Sequence, residues 1–123
     1  SPHMNIIQAK IAGDLQGFET AIGKINPPRA INFGGAHESA LIGIRPNDLR
    51  PASNGETSIA SRVHLIEPLG DVTVVSVDAF GETLRMVLPE ASATGMKLGD
   101  AVPVTFDPAR IHIFRAATGQ AIT

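Results

Sequence analysis

Apolar and polar residues alternate through much of this chain. In Ile59-Ala60-Ser61-Arg62-Val63-His64-Leu65-Ile66, Ile59, Val63 and Leu65 fall on one face, and Arg62 and His64 on the other. Leu84, Met86 and Leu88 share a face of 83–88; Val102, Val104 and Phe106 share another, as do Ile111 and Ile113. A period of two is that of half-buried strands. Val72-Thr73-Val74-Val75-Ser76-Val77 carries valine on both faces, which predicts a central strand buried on two sides. Phe80-Gly81-Glu82 separates it from 83–88, so the two read as a hairpin. Pro103 cannot donate to a ladder and predicts an edge strand for 102–106.

The N-terminal third is less regular. Residues 5–11 and 15–22 read as a strand pair turning at Gly13-Asp14. Residues 26–39, with Pro27-Pro28 and Gly34-Gly35, read as a loop. Residues 41–45 form a short strand stopped by Pro46, and 46–49 suit one helical turn with proline at an early position. Twelve glycines and nine prolines leave few windows for a long helix. Roughly eight short strands in one small chain predict an all-β fold, a barrel or sandwich with little helix.

Composition narrows the function classes. The 123 residues suffice for one domain with a core, and 43% hydrophobic with 18% charged residues describes a globular chain. A net charge of −2 gives no electrostatic footprint for nucleic acid or anionic lipid. Five phenylalanines, without tyrosine or tryptophan, make a poor stacking platform for single strands; Phe18, Phe106 and Phe114 suit a core better. The absence of cysteine excludes disulfides, thiolate catalysis and cysteine zinc sites. No apolar run approaches the ~18 residues of a membrane span. Ser1-Pro2-His3-Met4 reads as a cloning remnant, so 1–3 are set aside and 4–123 are taken as a single domain, a fragment of a larger protein.

Catalytic motifs are wanting. Gly17–Ile25 approaches a phosphate-binding loop, but five residues separate Gly17 from Gly23, and Ile25 follows Lys24 where a magnesium-binding hydroxyl is needed. A strand ending in a glycine turn is the preferred reading. No two of the four histidines have the spacing of zinc ligands. No serine sits in Gly-x-Ser-x-Gly. Asp107 and Arg110, flanking Pro108, read as a turn with a local ion pair.

The segment Leu41-Ile42-Gly43-Ile44-Arg45-Pro46-Asn47-Asp48-Leu49 resembles the Gly-Ile-Arg-Pro-Glu/Asp stretch of the transport-associated OB (TOBE) domain. That domain is the C-terminal part of ATPase subunits of ABC importers of the maltose and glycerol-3-phosphate type. Met4-Asn5-Ile6-Ile7 is similar to its entry, and Val63-His64-Leu65-Ile66-Glu67-Pro68-Leu69-Gly70 to its Val-x-x-Val-Glu-x-Leu-Gly strand and turn. Leu98-Gly99-Asp100-Ala101-Val102 is similar to its Leu-x-x-Gly-Asp-x-Val, and Phe106–Phe114 to its closing Phe-Asp-Pro-x-x-x-His-x-Phe. The pieces occur in order across nearly the whole chain. Asn47 stands where the family has an acidic residue, and 26–39 lack its Gly-x-x-Val approach.

The resemblance implies an OB-like barrel of short strands with additional strands. It implies a regulatory and dimerisation module without catalysis, cofactor or metal of its own. ATP and magnesium would belong to an ATPase domain of the same parent chain, cytoplasmic and peripheral to the membrane. Partners would be a second subunit, the permease subunits indirectly, and in some members a regulatory protein, with no nucleic acid. The motif residues carried over are Gly43, Arg45, Pro46, Asp48, Leu69, Gly70, Asp107, Arg110, His112 and Phe114. Of these, Gly43 is expected where backbones approach closely, Pro46 at a strand end and Gly70 in a turn; Arg45, His112 and Phe114 are candidate contacts. The alternative is a small-ligand sensor for an oxyanion, sugar or phosphate ester, with Arg29, Arg45 and Arg50 as anion contacts.

Overall fold

A computed structural model describes residues 3–122; Ser1 and Pro2 of the expected remnant lie outside the described residues, as does Thr123. The fold is all-β, with ten strands among the described residues against the roughly eight expected from turn spacing. A five-stranded sheet has the order β10-β4-β1-β2-β3, from β1 (Asn5–Ile11), β2 (Phe18–Thr20), β3 (Gly23–Ile25), β4 (Ser39–Ile44) and β10 (His112–Arg115). A three-stranded sheet is β6 (Arg62–Pro68), β7 (Val72–Ala79) and β8 (Glu82–Pro89). β5 (Leu49–Pro51) pairs with β9 (Val104–Phe106). All ladders are antiparallel. Among the described residues helix is limited to Glu90–Ala93 and two 3-10 turns, Pro46–Asp48 and Pro108–Arg110.

The alternation places one core among the three sheets. Ile7, Ile11 and Phe18 from one end of the chain meet Ile42, Ile44, Val75, Val77, Leu84, Met86 and Val104 from the rest. β7 is the central strand its valines predict: five consecutive residues, Thr73–Val77, are buried. The turn to β8 is Phe80-Gly81, with both residues at positive φ. Residues 26–38 are loop, as expected.

Two strand expectations are corrected. Leu65 does not share the buried face of Val63: it is 45% exposed. Val63 lies opposite Val77 and Leu65 opposite Ser76, so His64 is an extra residue in β6. Such a bulge flips every following side chain, and Ile66 turns inward instead, opposite Val75. Ile59 lies outside β6 and bridges Val104. That bridge also removes the edge predicted from Pro103. Val104 has Ile59 on one side and Pro51 on the other. Pro103 is tolerated because it precedes β9, where its carbonyl accepts the Ala52 N–H at 2.8 Å.

The two larger sheets are joined by a side chain. Asn5 shares its parity with Ile7, Ala9 and Ile11 and points inward, 6% exposed. Its amide donates to the Arg85 carbonyl at 2.9 Å, and its carbonyl oxygen accepts the Arg85 N–H at 2.8 Å. The side chain thus acts as one residue of extra strand along β8.

Candidate functional site

Eight of the ten motif residues converge. β4 and β10 run side by side with His112 opposite Gly43 and Phe114 opposite Leu41. Ile42, Ile44 and Ile113 fill the core from the inner face. The outer face then carries Leu41, Gly43, His112 and Phe114, with Ile6 of β1 next to Gly43. Gly43 admits side chains there, not a second backbone. A Cβ at this position would overlap Met4 Sδ and lie 3.0 Å from Phe114 Cε2. The expectation of a close backbone approach is corrected accordingly.

Beyond β4 the chain turns on Arg45 and the buried Pro46 into a 3-10 turn. This leaves the Arg45 side chain exposed. Asp48 ends the turn. Its carboxylate is only 8% exposed and accepts from Arg110 Nε at 2.8 Å. The local Asp107–Arg110 pair is thereby corrected. Asp107 Oδ1 accepts the Ala109 N–H at 2.9 Å and caps the Pro108–Arg110 turn. That cap uses the carboxylate and aims Arg110 across to Asp48, 62 positions away. Leu69 and Gly70 lie apart from this patch. They form the β6–β7 turn, where Leu69 is 60% exposed and Gly70 has φ +103°.

The three arginines proposed as anion contacts do not form a cradle. Arg29 sits in the 26–38 loop beside Pro108 and Ile111, and Arg45 stands at the end of β4. Arg50 is committed to Glu56: Nη1–Oε1 is 2.7 Å and Nη2–Oε2 is 2.6 Å. Glu56 Oε1 also accepts the Ser53 N–H at 2.7 Å. The Arg50 hydrogen bonds first, and the Ser53 N–H second, hold the Glu56 carboxyl down at about 2, against an ordinary 4.5. A carboxyl depressed in the fold stabilises it above its unfolded pKa, and the gain fades as pH falls through the folded value. The melting-temperature advantage of the native chain over Glu56→Gln is therefore expected in full above pH 4.5 and to vanish near pH 2, as read by scanning calorimetry. The pair is exposed, so the advantage is small.

The near-miss at Gly17–Ile25 does not fit a phosphate loop. Gly23–Ile25 is strand β3, and loop rather than helix follows it. Among the described residues, no three His, Asp or Glu side chains group to hold a metal. No helix of the described residues is long and apolar enough to cross a membrane.

The outer patch runs from Leu41 to Phe114, and the TOBE domain family model matches residues 42–114. The chain belongs to the TOBE domain family.

All ten motif residues of this TOBE domain fall inside the matched span. It is similar to the sulfoquinovosyl glycerol transport ATP-binding protein SmoE of Agrobacterium fabrum, 30% identical across 99% of this chain and 34% of that protein. It is 32% identical to the sn-glycerol-3-phosphate import ATP-binding protein UgpC of Paracoccus denitrificans, across 99% of this chain and 33% of that protein. It is 30% identical to the alpha-glucoside transport ATP-binding protein AglK of Rhizobium meliloti, across 93% and 32%. The TOBE chain thus spans about a third of the length of the curated relatives it matches. Among solved structures, it superposes on the cytoplasmic molybdate-binding protein ModG with a TM-score of 0.76, over 89% of this chain and 94% of that one. Identity there is 12%, so the likeness concerns the fold, an OB-like barrel.

Sequence reasoning missed the Asn5–Arg85 bracket and the Arg50–Glu56–Ser53 clamp. The first had a signal: a polar residue at an inward position of an otherwise apolar alternation. The second had none beyond opposite charges six positions apart.

Proposed function

We propose that this TOBE domain is the non-catalytic, C-terminal regulatory and dimerisation module of the cytoplasmic ATP-binding subunit of an ABC importer for a carbohydrate or related solute. The observation that carries the reading is the relation to sugar and glycerol-3-phosphate transport ATP-binding proteins. It extends along nearly all of this chain and only a third of theirs. The ATPase half, with ATP and magnesium, would belong to the remaining two thirds of such a subunit, and permease subunits would be reached through it. Within the domain, the contact surface we assign is the outer patch of Arg45, His112 and Phe114, held in shape by Gly43 and the Asp48–Arg110 pair. Its apolar centre with a charged margin suits a second subunit or a regulatory protein.

Sedimentation of the pure domain over a wide concentration range is expected to show reversible self-association, weakened by Phe114→Ser. A strict monomer at high concentration removes dimerisation from the reading. Turnover of ATP by the pure domain overturns it altogether.

A further inference from the structure

An asparagine carries its own electrophile, the side-chain amide carbon. When the backbone nitrogen of the next residue reaches it, a five-membered ring closes and ammonia leaves, which makes asparagine one of the thermolabile residues. The attacking nitrogen must be open to water, unshielded by a side chain and free of a hydrogen bond.

Five asparagines stand in the chain, and four fail one of these conditions. Asn5 is buried, with its amide bonded to Arg85. Asn26 precedes Pro27, which has no N–H. Asn32 precedes Phe33, whose ring stacks on Phe18 with centroids 6.2 Å apart. After Asn47, the Asp48 N–H is held by the Arg45 carbonyl at 2.9 Å.

Asn54 meets all three conditions. The next residue is Gly55, both are exposed, and a Cβ added at Gly55 would meet nothing within 4 Å. Among the described residues no hydrogen bond engages the Gly55 N–H or the Asn54 side chain. The two form the tip of a turn closed by the Glu56 N–H on the Ser53 carbonyl at 3.2 Å, with Gly55 at φ +86°, a backbone conformation glycine adopts freely. The Arg50–Glu56–Ser53 clamp holds the base of this turn and leaves its tip in water.

We propose that Asn54 is a self-modification site, converting in the folded domain to aspartate and isoaspartate with water as the co-reactant. The Gly55 nitrogen gives its proton to solvent and bonds to Asn54 Cγ. The Cγ–Nδ2 bond breaks, and the amide leaves as ammonia with one proton from solvent. Water then opens the ring. Opening at Cγ yields aspartate; opening at the Asn54 backbone carbonyl yields isoaspartate, with the chain routed through Cβ. One water enters, one ammonia departs and nothing is oxidised. The new carboxylate makes the chain one unit more negative than its present −2. In isoaspartate the extra backbone atom lies inside the turn that Glu56 ties to Arg50 and Ser53. The ring closes only when the Asn54–Gly55 peptide rotates, so the clamp slows the conversion.

The test follows the folded domain for weeks at mildly alkaline pH by intact mass and peptide mapping. A gain of about one mass unit at Asn54 is expected, with Asn32 and Asn47 unchanged in the same sample. The rate should rise about tenfold per pH unit, because the attacking nitrogen must first lose its proton. Glu56→Gln should quicken it about threefold, the scale an exposed ion pair supports. Asn54→Gln should keep its mass. The domain unfolded in urea is the reference: conversion there with none in the folded domain overturns the proposal. So does equal conversion at Asn32 or Asn47 in the folded domain, which would mean that neither the glycine nor its free N–H selects the site.

Discussion

Asn5→Ala is expected to destabilise the domain by about 1–3 kcal/mol, because it strands a part-buried N–H and carbonyl of Arg85 that Asn5 satisfies. The alanine cannot restore the bond between the five-stranded and three-stranded sheets. Arg85→Ala is the informative control. The bracket uses only the backbone of Arg85, whose side chain is exposed. That change should cost about 0.5 kcal/mol or less, the usual range for the surface. Urea unfolding of both variants checks the pair. Equal losses would mean that the residues act through packing of their side chains, against the bracket described above.

Gly43→Val is expected to cost about 1–3 kcal/mol through overpacking. The new side chain would enter space held by Met4 Sδ and the Phe114 ring. Gly43→Ala should cost less, since the end of Met4 can swing aside while the ring cannot. The two contributions separate in a double-mutant cycle: Met4→Ala combined with Gly43→Ala should recover part of the alanine penalty. Denaturant midpoints give the energies. Self-association measured on the same samples reports on the patch, because a displaced Phe114 changes the surface assigned to subunit contact. A Gly43→Val variant as stable as the native domain would mean that neither Met4 nor Phe114 packs on this glycine.

The strands were legible where alternation was uninterrupted. β8 and β10 fall where period two puts them, because a side chain's face depends on its parity alone, and β7 falls where valine on both faces predicts a doubly buried strand. Leu65 was misplaced because one extra residue, His64, reverses that parity, and a bulge leaves no mark in apolar spacing. The candidate site was legible as a set of motif residues and illegible as a surface. Asp107 and Arg110 are near neighbours in sequence, so a local pair was the natural expectation. The actual partner of Arg110 is Asp48, brought close by β4 and β10 lying side by side. Leu69 and Gly70 belong to the same ordered motifs yet lie at the end of another sheet, since order along the chain does not specify adjacency in an antiparallel fold.

The pairing of β10 with β4 also sets a sequence of events during synthesis. β4 is made early, but its outer neighbour is the last strand of the barrel, and the Asp48–Arg110 tie spans 62 positions. A chain emerging N-terminus first carries an open strand at β4 until β10 follows it, the period of greatest exposure to misassembly. The patch of Gly43, His112 and Phe114 comes into being only when β10 docks. A partner that read this patch would therefore meet only completed barrels, and recognition would wait on the last strand.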